Sequence, residues 1–123
     1  MDGAHTRESA EALAGALKRH FKFDRLHLIL AMMQDKDPHA FVGPLVPLLD
    51  RIWVTSAKNR RSFSPHELAK KIEASKIPIE GGSSFREVFL KAQAECGKND
   101  LILITGSLYL VGEAEEYFEY ETK

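Results

Sequence analysis

Polar or glycine-rich turns follow several short apolar runs of this sequence, and the turn Gly106-Ser107 offers the clearest chemistry. An apolar run that ends at Thr105 passes through this turn directly into a predicted helix. Such a junction presents backbone N–H groups and a hydroxyl at the positive end of a helix, which suits a carboxylate or a phosphate. Ser107 can equally serve only as the helix N-cap, and the two roles can coexist.

Three other places carry groups that could hold an anion. Lys36 stands between two aspartates in a loop, where it either binds an anionic substrate or is simply solvated. The basic loop Lys58-Asn59-Arg60-Arg61 suits bidentate contacts with carboxylate or phosphate, although the same charges also favour solubility. The turn Gly81-Gly82-Ser83-Ser84 resembles an anion-binding nest but lacks the spacing and the lysine of a P-loop.

The histidines and the cysteine give weaker indications of a functional site. Asp2 and His5 form a candidate pair near the start of the chain, but a histidine before a helix also serves as a cap or a surface residue. Cys96 has no visible activator and is predicted to be an inert packed thiol. As the single cysteine it excludes an internal disulfide and a cysteine zinc cluster, and it fits a reducing compartment. The remaining histidines show no metal-ligand spacing and are interpreted as structural or solvated: His20, His27, His39 and His66.

Helical patterns alternate with short apolar runs along the whole chain. Helices are predicted over 6–21, 39–49, 64–75, 84–96 and 108–120, and strands over 26–32, 51–55, 77–80 and 101–105. Two prolines shorten or kink the second helix, Gly97 is predicted to close the fourth, and Pro78 predicts an edge strand. The alternation predicts an α/β domain of three layers, with a mostly parallel sheet and helices on both faces.

The chain begins with a loop-like segment, Asp2 to His5, that leads at once into a helix. In parallel α/β folds a loop of this kind normally follows a strand. We therefore expect the domain to lack its first strand, and the chain to be a piece of a longer protein.

Composition narrows the class of protein. The chain has 123 residues, of which 44% are hydrophobic and 28% charged, which is typical of one globular domain with its own core. The 17 basic and 18 acidic residues give a net charge of −1, so no electrostatic feature favours nucleic acid or an anionic membrane as a partner. The sequence has neither an apolar run of about 18 residues nor a signal peptide, and we expect a cytoplasmic protein.

Four motifs, in order, resemble those of folylpolyglutamate synthase and dihydrofolate synthase. The segment Asp2-Gly3-Ala4-His5-Thr6 resembles their D-G-A-H-N, and residues 28–37 resemble their strand followed by a D-K-D loop. Residues 52–68 resemble V-x-V-T, N-P-R-A and S-P-E-E-L, and residues 106–113 read G-S-L-Y-L-V-G-E. Each motif alone is weak, but the shared order and spacing across almost the whole chain are specific.

The resemblance covers only the C-terminal, glutamate-ligase domain of that family, a domain shared with the Mur ligases. It implies a single Rossmann-like domain over residues 1–123, without the N-terminal P-loop ATPase domain that normally packs against it. The parent enzyme would be an ATP-dependent ligase that adds L-glutamate to folate or dihydropteroate through an acyl phosphate. ATP and Mg²⁺ would be bound mainly by the N-terminal domain, and this domain would be inactive alone.

Carried over residue by residue, the resemblance implies that Asp2 contributes to ATP binding and that His5 and Ser107 place the incoming glutamate. Lys36 and Arg61 match motif positions with possible substrate or phosphate contacts. It assigns no metal ligand and no catalytic residue to this domain. Two alternatives remain open: a free-standing ligand- or protein-binding module derived from such a ligase, and the equivalent domain of a peptidoglycan Mur ligase. The choice between folylpolyglutamate and dihydrofolate synthase activity is also open.

Overall fold

Helices and strands alternate along the chain in the predicted order. The computed structural model of the protein describes residues 7–72, 76–106 and 108–121. The helices are α1 (Arg7–His20), α2 (Pro38–Val42), α3 (Pro65–Ile72), α4 (Phe85–Glu95) and α5 (Leu108–Glu121), and a 3₁₀ helix spans Gly43–Leu48. The strands are β1 (Leu26–Leu30), β2 (Arg51–Val54), β3 (Ile79–Gly81) and β4 (Leu101–Thr105).

The four described strands form one sheet in the order β3-β2-β1-β4, and every pairing is parallel. Strand β1 lies inside the sheet, where Leu28 pairs with Ile52 of β2 on one side and with Leu103 of β4 on the other. All five of its residues are buried. A run that is apolar on both faces favours a buried parallel strand over an exposed edge, and the structure confirms this for residues 26–30.

Alternate side chains of β1 point into two separate apolar layers, as the pleat of a strand requires. Leu28 and Leu30 pack with residues of α1, α2 and α3 on one face of the sheet. Ile29 packs on the opposite face with residues of α4 and α5. The predicted three-layer arrangement with helices on both faces is confirmed.

Local signals define most helix ends. Ser64 and Glu67 form a reciprocal capping box at the start of α3, with both hydrogen bonds 3.1 Å long. Pro44 and Pro47 lie in the 3₁₀ helix that follows α2, which accounts for the short second helix. Of the helices that the structure describes, none is both long and apolar enough to cross a membrane.

The prediction that Gly97 closes α4 is wrong. The helix ends at Glu95, its C-cap Cys96 has an extended backbone, and Gly106 is the single described glycine with positive φ. The N–H of Gly97 is instead held by a carboxylate oxygen of Asp100 at 2.9 Å. The carbonyl groups of the last turn are met by other donors: the N–H of Cys96 donates to Ala92 and Gln93, and Arg25 donates to the carbonyl of Glu95 at 3.0 Å.

Truncation of one buried side chain on the central strand β1 tests this architecture. The Leu28→Ala substitution removes a fully buried side chain between two helical layers, and we expect it to lower the free energy of unfolding by about 2–5 kcal/mol. The matched control is Leu90→Ala on α4, where the side chain is 43% exposed and the expected change is below about 0.5 kcal/mol. Urea denaturation of both variants measures the difference, and equal losses would contradict the assignment of β1 to the core.

Candidate functional site

The loops that follow β1 and β2 are joined at the carboxyl edge of the sheet. The N–H of Gln34 donates to the carbonyl of Arg61 at 2.8 Å, and the N–H of Phe63 donates to the carbonyl of Met32 at 2.9 Å. Met33 and Ser62 form an isolated antiparallel bridge between these bonds. The two loops therefore form one unit, and they bring together the segments that carry Lys36 and Arg61.

The conformation of the basic loop is set by two small polar side chains. Asn59 accepts the N–H of Arg61 through its side-chain oxygen at 2.9 Å, which is an Asx-type turn. The hydroxyl of Ser62 is buried, accepts the N–H of Ala57 at 3.1 Å, and contacts the carbonyl of Met32. These residues hold Arg61 at an exposed loop tip. The sequence did not predict these structural roles of Asn59 and Ser62, although both residues lie in the stretch that resembles N-P-R-A.

The loop after β1 separates a structural aspartate from an available lysine. Asp37 caps α2 by accepting the N–H of Ala40 at 3.2 Å, so its carboxylate has a local role. Lys36 lies 3.9 Å from the Asp35 carboxylate, and both side chains are more than a third exposed. An exposed pair at this distance contributes little, so Lys36 can readily exchange Asp35 for an anionic ligand.

The predicted nest after β3 is filled by a side chain of the protein itself. Glu87, in the first turn of α4, accepts both the N–H and the hydroxyl of Ser83 at 2.9 Å. The backbone and side-chain hydrogen bonds from Ser83 lower the pKa of Glu87. Ser84 caps the same helix by accepting the N–H of Glu87. The Gly81–Ser84 turn is therefore occupied by the carboxylate of Glu87 and offers no open anion site.

Gly106 ends β4 in a conformation that other residues rarely adopt. Its φ is +108°, and a Cβ at this position would lie 2.4 Å from the carbonyl oxygen of Ala31 and 2.6 Å from Leu30. The turn at the end of β4 is thus pressed against the carboxyl end of β1. This contact brings the Gly106 turn to the same edge as the two joined loops. Ser107, Asp2 and His5 lie outside the described residues.

A pocket of about 390 Å³ lies beside this edge, between the loop after β2, the start of α4, and α5. Lys58 and Arg86 supply cationic groups to it, and Phe85 and Tyr117 supply aromatic rings. Neither Lys36 nor Arg61 lines this pocket. The carboxylate of Glu113 accepts the N–H of Lys58, which ties α5 to the basic loop.

The amino edge of the sheet holds a buried charged cluster that sequence spacing did not reveal. Asp100 accepts the N–H of Gly97, lies 3.3 Å from Nε2 of His27, and pairs with Arg25 at 2.9 Å. The Gly97 N–H, followed by His27 and Arg25, lowers the pKa of Asp100 from 3.8 to about 2. Burial, followed by the Asp100 charge, raises the pKa of the nearby Cys96 thiol.

The close approach at Gly106 is testable. We expect Gly106→Ala to lower the free energy of unfolding by about 2–4 kcal/mol, because alanine disfavours the positive φ of this position and its methyl group would meet a backbone oxygen. Gly43→Ala is the matched control: its backbone is helical and a Cβ would meet nothing within 4 Å, so the change should stay within about 0.5 kcal/mol. Thermal and urea unfolding would distinguish the two variants. A neutral Gly106→Ala would refute the close approach.

The lowered pKa of Asp100 predicts a dependence of stability on pH. A carboxylate with a depressed native pKa stabilises the fold above its ordinary pKa, and this contribution is lost as the pH falls through the native value. Asp100→Asn should therefore be destabilised at pH 7, and its deficit relative to wild type should shrink between about pH 4 and pH 2. Urea midpoints across this range provide the measurement, with exposed Asp35→Asn as the control. A constant deficit would show that the charge of Asp100 is not the cause.

Comparison with known proteins adds an independent line of evidence. A family model described as Mur ligase, glutamate ligase domain matches residues 1–108. A probable bifunctional folylpolyglutamate synthase/dihydropteroate synthase of Haloferax volcanii is 33% identical over 115 residues, covering 93% of this chain and 14% of that protein. A dihydrofolate synthase/folylpolyglutamate synthase of Bacillus subtilis is 30% identical, covering 92% of this chain and 26% of that protein.

Solved structures show the same fold. The folylpolyglutamate synthase of Mycobacterium tuberculosis, solved in complex with ADP, superposes with a TM-score of 0.85 at 26% identity. The match covers 93% of this chain and 28% of that one, so this chain spans little more than a quarter of the structure it resembles. The resemblance to folylpolyglutamate and dihydrofolate synthases inferred from the motifs is confirmed, and the chain belongs to the Mur ligase family as a glutamate ligase domain.

Proposed function

We propose that this chain is the C-terminal, glutamate-ligase domain of an ATP-dependent enzyme that adds L-glutamate to folate or dihydropteroate. The observation that carries the proposal is the family match over residues 1–108, combined with curated relatives that are named folylpolyglutamate synthases. The ADP complex of the Mycobacterium tuberculosis relative supports ATP as the nucleotide substrate. These relatives favour the folate branch over a peptidoglycan Mur ligase.

The proposed reaction has two steps. The carboxylate of the folate attacks the terminal phosphorus of ATP, which gives an acyl phosphate and releases ADP. The amine of L-glutamate then attacks the acyl carbon, and the tetrahedral intermediate collapses to an amide and inorganic phosphate. Such a reaction requires two anions to be held together and water to be kept from the acyl phosphate.

The joined loops at the carboxyl edge fit the first of these requirements. In open parallel sheets, ligands bind beyond the carboxyl ends of the strands, and Lys36 and Arg61 place cationic groups in that position. We propose that they contact the phosphate or carboxylate groups of the substrates. Asp2 would contribute to ATP binding, and His5 and Ser107 would place the incoming glutamate.

Magnesium would be bound mainly by an N-terminal P-loop ATPase domain, which supplies the ion that neutralises the ATP phosphates. The described part of the carboxyl edge suits anions better than it suits Mg²⁺, which prefers oxygen ligands. Asp37 is engaged as the cap of α2, and Asp35 lies beside Lys36. We therefore propose that this domain is inactive alone and depends on packing against its ATPase domain.

A domain replacement in the Bacillus subtilis relative tests the proposal. The chain would be assayed alone and in place of the corresponding domain of that enzyme, with folate or dihydropteroate, L-glutamate and ATP-Mg²⁺. Mass spectrometry would detect the glutamylated product. We expect no product from the chain alone and product from the chimera. Turnover by the chain alone would contradict its dependence on a second domain, and preference for a UDP-muramyl acceptor would favour the Mur ligase alternative.

The same chimera tests the two cationic residues. Lys36→Ala and Arg61→Ala should each lower kcat/KM for the substrates by at least about tenfold, because a charge-assisted hydrogen bond contributes about 1.5–3 kcal/mol. Lys71→Ala on the exposed surface of α3 is the matched control and should leave kcat/KM unchanged. Full activity of both loop variants would remove them from the site while leaving the family assignment intact.

A further inference from the structure

Three side chains with metal-binding atoms converge at the amino edge of the sheet, opposite the proposed ligase site. His27 lies on β1, Cys96 follows α4, and Asp100 precedes β4, and their ligand atoms all lie within 4.8 Å of one another. We propose that this cluster binds one divalent transition-metal ion of the zinc class, in exchange for the guanidinium of Arg25. The inference is independent of the proposed function.

The donor set determines the class of ion. Imidazole, thiolate and carboxylate are the ligands that Zn²⁺ and Co²⁺ take, whereas Mg²⁺ and Ca²⁺ prefer oxygen alone. Nε2 of His27 and Oδ2 of Asp100 are 3.3 Å apart. Two ligands each about 2.0–2.1 Å from a tetrahedral ion lie about 3.4 Å apart, so this pair already has the required spacing. The Cys96 sulfur has to move inward by no more than about 1.4 Å.

The cluster is buried on one side and accessible on the other. The side chains of His27 and Asp100 are only 2% and 3% exposed, which holds their positions. Cys96 is half-buried, and Asp100 also borders an open surface pocket of about 510 Å³. An ion can therefore reach the cluster without opening the core. The exposed Lys22 and Lys98 line that pocket and weaken the attraction for a cation.

The Asp100 carboxylate is already paired with a cation, the guanidinium of Arg25. Nε and Nη2 of Arg25 lie 3.0 and 2.9 Å from Oδ2 of Asp100. The Arg25 side chain is 52% exposed, so it can move into solvent once it also gives up the hydrogen bond from Nη2 to the carbonyl of Glu95 at 3.0 Å. Binding is then an exchange. The proton of Nε2, which faces Oδ2, is lost and the ring carries its proton on Nδ1 instead. The ion takes Oδ2 and the freed lone pair of Nε2, the thiol of Cys96 releases its proton to solvent, and Arg25 leaves.

The surroundings of Nδ1, the second ring nitrogen of His27, determine how tightly we expect the metal ion to bind. Nδ1 is buried and has no hydrogen-bond partner among the described residues. When Nε2 binds a metal, the ring proton resides on Nδ1, where a strong site would supply an acceptor. We therefore expect weaker binding than at a structural zinc site with a complete outer shell.

Titration with Co²⁺ in a non-thiol reductant tests the site on the intact chain. We expect a thiolate-to-Co²⁺ charge-transfer band that saturates at one ion per chain and disappears on addition of Zn²⁺. Cys96→Ser should abolish the band, and His27→Gln should weaken binding by at least about tenfold. His66→Gln, an exposed histidine on α3, is the matched control and should leave the titration unchanged. Absence of the band at saturating Co²⁺ would overturn the proposal.

Variants of Arg25 separate this site from a simple surface thiol. Arg25→Gln should tighten Co²⁺ binding by about tenfold because the competing charge is gone, while Arg25→Lys should change it much less. If Arg25→Gln impairs folding, protection of Cys96 from iodoacetamide by Zn²⁺ in the wild-type chain decides the matter. The exchange would be refuted if Zn²⁺ did not protect Cys96 from iodoacetamide. It would also be refuted if neither His27→Gln nor Arg25→Gln altered the midpoint of the Co²⁺ titration.

Discussion

Strand β1 has a parallel neighbour on each side and a helical layer over each face, and this double enclosure organises the domain. The sheet hydrogen bonds satisfy its backbone, and Leu28 and Ile29 anchor the two apolar layers on opposite faces. A strand enclosed in this way cannot shift its register by one residue without exchanging the two layers. The fixed register of β1 therefore fixes where the loops at its two ends begin.

At the carboxyl end of β1, the loops that follow β1 and β2 are hydrogen-bonded to each other. Gly106 permits the end of β4 to press against the carbonyl of Ala31, and the Met33–Ser62 bridge ties the loops after β1 and β2 together. Lys36 and Arg61 are consequently carried by two loops that are hydrogen-bonded to each other. The Asn59 side chain sets the turn before Arg61 by accepting its N–H.

The amino end of β1 has the opposite chemistry. There the charged groups are turned inward, and Asp100 joins β1, the end of α4 and the start of β4 through Arg25, His27 and Gly97. Parallel strands make this division possible, because all their carboxyl ends lie at one edge and all their amino ends at the other. One edge can carry ligand-binding loops while the other secures the fold.

The sequence by itself determined the order of the elements, the burial of the first described strand, the capping box at Ser64 and Glu67, and the family. These features depend on local periodicity, on capping chemistry within three residues, and on motifs whose order can be read along the chain. Only the tertiary structure decided that Glu87 fills the nest after β3, and that Asp100 holds the N–H of Gly97 just after α4. It also brought together His27 and Asp100, which are 73 residues apart. The physical reason is the strand order, because β1 and β4 become neighbours only once the sheet has formed, and no local spacing rule can anticipate which side chains then meet.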